Sequence, residues 1–318
     1  MEPTFVAIMT EAAHDKTRTP TPSDNQITPP VMMTISPTTL PGALPQPTTD
    51  FGGTPPSGKI VFTCFIDGFD QICSMQADGS DLQRLTNQAT TEFYASLSPD
   101  GESIVFSTRR DGPFQIYEMN SDGSNQHRLT QGLGNLYAPE ISPDGKLIVF
   151  TVETGNTQNI WAMQRDGSNP HPLTQTKGDN IDPTWSPDQQ QIAFASSRSG
   201  SPQLWVMQSD GSGERQVTDL ADMGGRSSWS PDGQRLAFYA GPQGNHNIYT
   251  IGSDGKGLTQ LTAGGDNLAP SYSPDGKWIA FTSYRDGNNE IYIMHTDGSG
   301  VTRLTHDPRP DWQPRWGK

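Results

Sequence analysis

Apolar residues in this chain fall in short runs separated by turn residues. In "WIAFTSY" (278–284) and "EIYIM" (290–294), β-branched and aromatic residues crowd together, as they do in strands. "RDGN" (285–288) joins the two runs with an Asp-Gly pair that suits a hairpin. "TDGS" (296–299) is the next turn, "TRLT" (302–305) a third strand, and "PSYS" (270–273) or "PRWG" (314–317) a fourth. The pattern predicts a unit of four short antiparallel strands.

The unit repeats. Asp-Gly pairs recur at Asp78, Asp122, Asp166, Asp210, Asp254 and Asp297, in steps of 44, 44, 44, 44 and 43 residues. A phenylalanine keeps the same beat at Phe62, Phe106, Phe150, Phe194, Phe238 and Phe281, and so does the Thr ending each R-L-T-like triplet, from Thr86 to Thr305. Six units of that length point to propeller blades or a helical array, and the strand chemistry selects blades. Six residues after each Phe stands Gly68, Gly112, Asn156, Gly200, Gly244 or Gly287, residue types that tolerate positive φ at a hairpin. Ser-Pro-Asp-Gly at Ser98, Ser142, Ser230 and Ser273 fits a type I turn, with Gln189 in the Gly place of the copy beginning at Ser186.

The two ends of the repeat region complement each other. The first unit starts at "SGKIVF" without a preceding P-x-W-S strand, and the sequence stops at "QPRWGK", which is that strand. Pairing Pro314 to Trp316 with Ile60 to Phe62 would close six blades into a ring without exposed edges. The expected fold is therefore all-β: a six-bladed propeller over 57–318.

Composition changes the picture at one end. The first 56 residues hold 11 of the 27 prolines and 12 threonines with no apolar period, which reads as a disordered Thr/Pro tether making no core contacts. It has no run of membrane-span or signal-peptide type, so an export signal or anchor is expected upstream or missing. Subtracting its 2 Lys/Arg and 5 Asp/Glu leaves 19 basic against 30 acidic residues, about −11, for 57–318. That sign repels phosphate backbones and anionic lipid surfaces, so nucleic acid and direct membrane insertion are excluded as expectations.

The phrase "P-x-W-S-P-D-G-x-x-I-A-F-x-S-x-R-x-G-x-x-x-I-Y-x-M-x-x-D-G-S-x-x-x-R-L-T", present in six tandem variants over 57–318, resembles the PD40, or WD40-like, repeat of the TolB β-propeller. The resemblance implies a bacterial, extracytoplasmic, monomeric scaffold, periplasmic or cell-surface, that binds a protein partner at the mouth of its channel. The first 56 residues do not resemble the α/β domain that precedes the propeller in TolB, so the likeness is to the module and not to a place in the Tol-Pal system.

Strand order divides the molecule into two faces. One, the turn face, carries the uniform S-P-D-G and D-G-S turns; the other, the loop face, carries the hairpins and the varied loops after R-L-T. Variation on a fixed scaffold is where recognition is expected. Those loops place Glu92, Tyr94, Tyr137, Asp179, Asp182, Asp222, Asp266 and Asp311 towards the channel rim, predicting an acidic, partly aromatic ring that docks a protein or peptide. Asp179 and Asp266 are read first as loop caps, with ligand or cation contact as the alternative. Turn aspartates are read as bonding their own backbone. Trp185, Trp229, Tyr272 and Trp316 are read as packing between blades, and Arg110, Arg198 and Arg285 as exposed ion pairs or loop support ahead of substrate contacts.

Catalytic signatures are sparse: there is no G-x-S-x-G, no H-E-x-x-H and no zinc spacing, and the six His are scattered. No catalytic residue and no cofactor is assigned; calcium is the one ion considered, although "RDGNNE" lacks EF-hand spacing. The alternative to a docking module is a propeller hydrolase or lyase acting on a glycan or lactone through channel-mouth carboxylates. The propeller half of a prolyl-oligopeptidase-like enzyme would need an α/β-hydrolase domain. Cys64 and Cys73 stand on the two arms of the first hairpin, directly opposite if the turn centres on Gly68 and Phe69; a disulfide there would favour an oxidising compartment, and buried thiols are the other reading.

Overall fold

The computed structural model describes Thr38–Thr39, Phe51 and residues 54–318. Six antiparallel sheets follow one another in sequence, each of four strands plus one addition in the first. Blade 2, for example, runs Glu92–Leu97, Ser103–Thr108, Gln115–Asn120 and His127–Arg128 from the inside outwards. The innermost strands of adjoining blades touch all the way round, so they line a central channel. Blade 1 takes its innermost strand from the end of the chain: Asp311–Gly317 pairs with Lys59–Ile66, with Ile60 opposite Trp316 and Val61 opposite Arg315. The closure expected from the two ends is present.

The repeated residues explain the repeated geometry. All six phenylalanines are at most 1% exposed, because each stands mid-strand between the faces of neighbouring blades. The Thr of each R-L-T triplet is buried and accepts a third-strand backbone N–H, as Thr86 does from Ile72 and Thr305 from Ile291, both at 2.9 Å. Its hydroxyl then donates to the side chain preceding that strand residue: Gln71, Gln115, Asn159, Gln203, Asn247 or Glu290. Three of these amides turn outward and hold the loop that follows. Gln71 Nε2 donates to the carbonyls of Gln88 (2.8 Å) and Thr90 (3.1 Å), Gln115 to Gly134 (3.0 Å) and Gln203 to Leu220 (2.6 Å). The varied loops are thus pinned to an invariant frame.

The D-G-S glycines are required by more than turn geometry. Gly167 has φ +83°, and a Cβ there would lie 2.1 Å from the Leu129 carbonyl oxygen of the previous blade. The turn aspartates bond locally as expected: Asp122 Oδ1 accepts the Ser124 N–H at 2.9 Å, and Asp144 Oδ1 accepts Ser142 Oγ–H at 2.7 Å. These bonds, led by the serine hydroxyls, hold both carboxyls below the usual carboxylate range.

Five of the six innermost strands are broken by a bulge, seen as a register shift between Phe93 and Ser96 in blade 2 and at the matching places in blades 1, 3, 4 and 6. The bulged residues Tyr94, Ala138, Asp182, Ala269 and Gln313 have φ between +49° and +58°. Such bulges re-aim side chains and end pairing near the rim. The preceding blade supports them: Thr151 Oγ1 accepts the Asp182 N–H (3.1 Å) and Thr282 Oγ1 that of Gln313 (2.9 Å).

Two expectations change. The tether 1–56 lies largely outside the described residues, but its described part makes contacts. Thr38–Thr39 pair with Gln83–Arg84 as a fifth strand, as an open sheet edge invites, and the Phe51 ring meets Trp278 edge-on at 6.0 Å. The first hairpin turns at Asp67-Gly68, one residue before the expected Gly68-Phe69, which shifts each cross-strand partner by two, so Phe62 faces Cys73 and Cys64 faces Gln71. Cys64 and Cys73 are joined diagonally by a disulfide, with Cα atoms 5.9 Å apart.

Candidate functional site

The loop-face mouth of the channel is framed by the first residues of the innermost strands and by the pinned loops. The eight residues placed there by sequence separate into five environments. Glu92 is fully buried inside blade 2, ion-paired with Arg110 and bonded to Thr108 Oγ1 at 3.0 Å. Asp311 is 5% exposed at the equivalent place in blade 1, and burial, reinforced by the charge of Glu290, pushes its carboxyl well above the carboxylate range. Neither reaches the rim. Both sit two residues before the bulge, where the side chain points back into the blade.

Asp179 and Asp266 are half-buried caps. Asp179 accepts the Gln158 N–H at 3.1 Å, and Asp266 accepts both the backbone N–H (2.9 Å) and the Nδ1 (2.6 Å) of His246, tying each loop to the previous blade. Of the five carboxylates in that ring besides Glu92, only Asp222 is exposed. The expected acidic ring is therefore mostly consumed in holding the loops.

The aromatic part of the expectation does assemble. Phe93 and Tyr94 at the start of blade 2, Phe114 from its hairpin and Tyr137 from blade 3 form one cluster, with ring centroids 4.7 Å apart for Phe93–Tyr94, 4.8 Å for Phe93–Phe114 and 5.3 Å for Phe114–Tyr137. Phe93, Tyr94 and Phe114 are half-buried. Tyr137 is fixed from below by its hydroxyl, which donates to Glu153 Oε2 at 2.8 Å, and the Arg109 guanidinium lies 6.0 Å from the Phe114 centroid.

Sequence reasoning missed the group inside the channel. At the repeat position of the bulge stand Gln313, Tyr94, Ala138, Asp182 and Ala269, with Arg226 at the equivalent place just before the unbulged strand Ser228–Trp229 of blade 5, and two residues on stand Arg315, Ser96, Glu140, Thr184, Ser271 and Ser228. Most of the second set knit the strands together: Ser228 Oγ accepts the Tyr272 N–H (3.1 Å), Ser271 Oγ that of Trp316 (3.0 Å), and Glu140 Oε1 that of Trp185 (2.9 Å). Arg226 and Arg315 are the two cations. Arg226 Nη2 crosses the channel to the Ala95 carbonyl (3.3 Å), and its guanidinium lies 5.2 Å from the Tyr94 centroid. The one signal available in sequence was that an arginine breaks the repeat at both places.

Electrostatics in this group follow from burial. Asp182 Oδ2 accepts the Arg226 backbone N–H at 2.9 Å, yet desolvation raises the acid's pKa. Desolvation, then repulsion from Arg315, lowers Arg226 to about 9. Desolvation also raises Tyr94 and Tyr239. Among the described residues, no cluster of His, Cys, Asp and Glu has metal-binding geometry, and no helix is long and apolar enough to cross a membrane.

Comparison with known proteins gives the same fold. TolB from Acinetobacter baumannii superposes with a TM-score of 0.75 at 22% identity, over 83% of this chain and 67% of that one. A putative TolB from Agrobacterium tumefaciens gives 0.65 at 19%, over 80% and 90%. A chain of a nidogen/laminin complex gives 0.66 at 12%, over 81% and 98%. A search of curated sequences returned no significant match. The family described as the TolB beta propeller domain, PD40, matches residues 51–151, 132–223 and 212–318, and the chain belongs to that family.

Proposed function

We propose that the protein is a non-enzymatic, extracytoplasmic docking scaffold whose loop-face channel mouth binds a protein or peptide. The observation that carries this reading is the Phe93–Tyr94–Phe114–Tyr137 cluster, a packed aromatic patch of three half-buried residues and the buried Tyr137, standing on two innermost strands and one hairpin. Aromatic anchors at the centre of a patch dominate protein interfaces because they bury much area for little lost side-chain entropy. The family membership and the superposition on TolB support a scaffold role, and the Cys64–Cys73 disulfide supports an oxidising compartment. The hydrolase or lyase reading needs acidic groups at the mouth able to exchange protons with substrate, whereas Glu92 is ion-paired and Asp179 and Asp266 are bonded as caps.

The test is affinity capture from an extracytoplasmic extract, followed by binding of the captured proteins to variants. Phe93→Ala with Phe114→Ala should weaken binding at least about tenfold, as hot-spot truncation does. Val301→Ser with Lys256→Glu, on exposed positions of the opposite face, should leave it unchanged. The reverse pattern would move recognition to the turn face.

A further inference from the structure

Arg226 is 4% exposed, yet among the described residues its Nε and Nη1 have no acceptor; only Nη2 is bonded, to the Ala95 carbonyl. Arg315 is 8% exposed, and its Nε likewise lacks an acceptor. The two guanidinium groups belong to one assembly, since Arg315 Nη1 donates at 3.0 Å to the carbonyl of Ser227, the residue next to Arg226. A desolvated cation with unmet N–H groups is costly, and two close together repel as well.

The carboxylates nearby do not meet this demand. Glu140 Oε2 is 3.6 Å from Arg315 Nη2, but its Oε1 is taken by the Trp185 N–H and the Thr184 hydroxyl, both at 2.9 Å. Asp182 spends Oδ2 on the Arg226 backbone, not on its guanidinium. The Tyr94 ring lies against the Arg226 guanidinium, its centroid 5.2 Å away, and Tyr239 Oη accepts the N–H of the neighbouring Gly225 at 3.1 Å. Guanidinium N–H groups select carboxylate oxygens by charge and by directed hydrogen bonds.

We propose that the channel is an anion site in which Arg226 and Arg315 hold a single carboxylate group. The lowered pKa of Arg226 agrees, because an anion would restore the cation that burial and Arg315 disfavour. The site shares Tyr94 with the mouth cluster, but the proposal does not rest on a partner docking there. The carboxylate comes either from a small free acid or from an acidic side chain projecting into the channel, and the two sources can be told apart.

Thermal unfolding of the full chain would be followed with increasing sodium acetate, and separately with a capped Gly-Glu-Gly tripeptide, at ionic strength held constant with a bulky sulfonate. A ligand that binds only the native state raises the midpoint with the logarithm of its concentration. The expected result is such a rise, lost in Arg226→Met and shifted to at least about tenfold higher concentration in Arg315→Met. A rise with acetate identifies a small-acid site, and a rise with the tripeptide alone identifies a side chain as the source. If Arg226→Met fails to fold, Arg315→Met carries the comparison. Midpoints of the unmodified protein that ignore both probes, or shifts equal in the unmodified protein and Arg315→Met, would overturn the proposal.

Discussion

Blade 1 and blades 2, 4 and 6 solve one structural problem with different chemistry. In blades 2, 4 and 6 an arginine four residues after the recurring Phe folds back over it. Arg110, Arg198 and Arg285 lie 5.6, 5.4 and 5.5 Å from Phe106, Phe194 and Phe281, and 4.7, 4.6 and 4.8 Å from Tyr117, Trp205 and Tyr292. Each also bonds an innermost-strand side chain, Glu92, Asn180 or Asn267. In blade 1 the arginine place holds Ile66. The hydroxyl and aromatic places, Thr108 and Tyr117 in blade 2, hold Cys64 and Cys73. A covalent bond replaces the cationic clamp, and Asp311, at the place of Glu92, is left without its arginine. Its raised pKa is the consequence: the same acid position is paired with an arginine in one blade and is a desolvated carboxyl held well above the usual range in another.

The sharpest way to break this comparison is Arg110→Ala. It strands the fully buried Glu92 carboxylate and should cost about 3–5 kcal/mol by chemical denaturation, as losing one member of a buried ion pair does. Next is the double change Cys64→Ser with Cys73→Ser, which opens a ten-residue loop and should cost about 2–3 kcal/mol on the loop-entropy scale. A reductant titration of the unmodified protein should give the same loss, while the double variant should ignore the reductant.

Asp311→Asn should act with the opposite sign and depend on pH. A carboxyl whose folded pKa is raised stabilises the fold below its unfolded pKa near 4, and that stability is lost as pH rises towards the folded pKa. The variant should therefore match the unmodified protein near pH 4 and exceed it by about 1–2 kcal/mol at pH 7.5, the scale of relieving an unmet buried charge. Equal stabilisation at both pH values would show that ionisation of Asp311 is not the cause. The smallest effect belongs to Arg285→Lys. Asn267 is neutral, so no charge is stranded, and only stacking and fork geometry are lost, about 0.5–1 kcal/mol by thermal unfolding.

How far the sequence could be read follows from the same contrast. Most of what repeats was legible: the blades, the turn aspartates, the inter-blade aromatics, ring closure by Pro314 to Trp316, and the arginines as loop support. Each depends on local chemistry written six times. The site was legible only in its aromatic part. The loop carboxylates point where their strands send them, and the bulge places Glu92 and Asp311 inward, a geometry that no spacing within a single unit reveals. Arg226 bonds Ala95, 131 residues earlier, across the ring. Such a pairing exists only once the circle is closed, so its trace in the sequence was no more than a break in the pattern.

The claim that the loop-face mouth is the recognition surface is tested most directly by hydrogen exchange, with and without a captured partner bound. The account predicts slowed exchange in the segments carrying Phe93, Tyr94, Phe114 and Tyr137, with the D-G-S turns at Asp122, Asp210 and Asp297 unaffected. Protection confined to those turns, with the aromatic segments exchanging at their unbound rates, would contradict it.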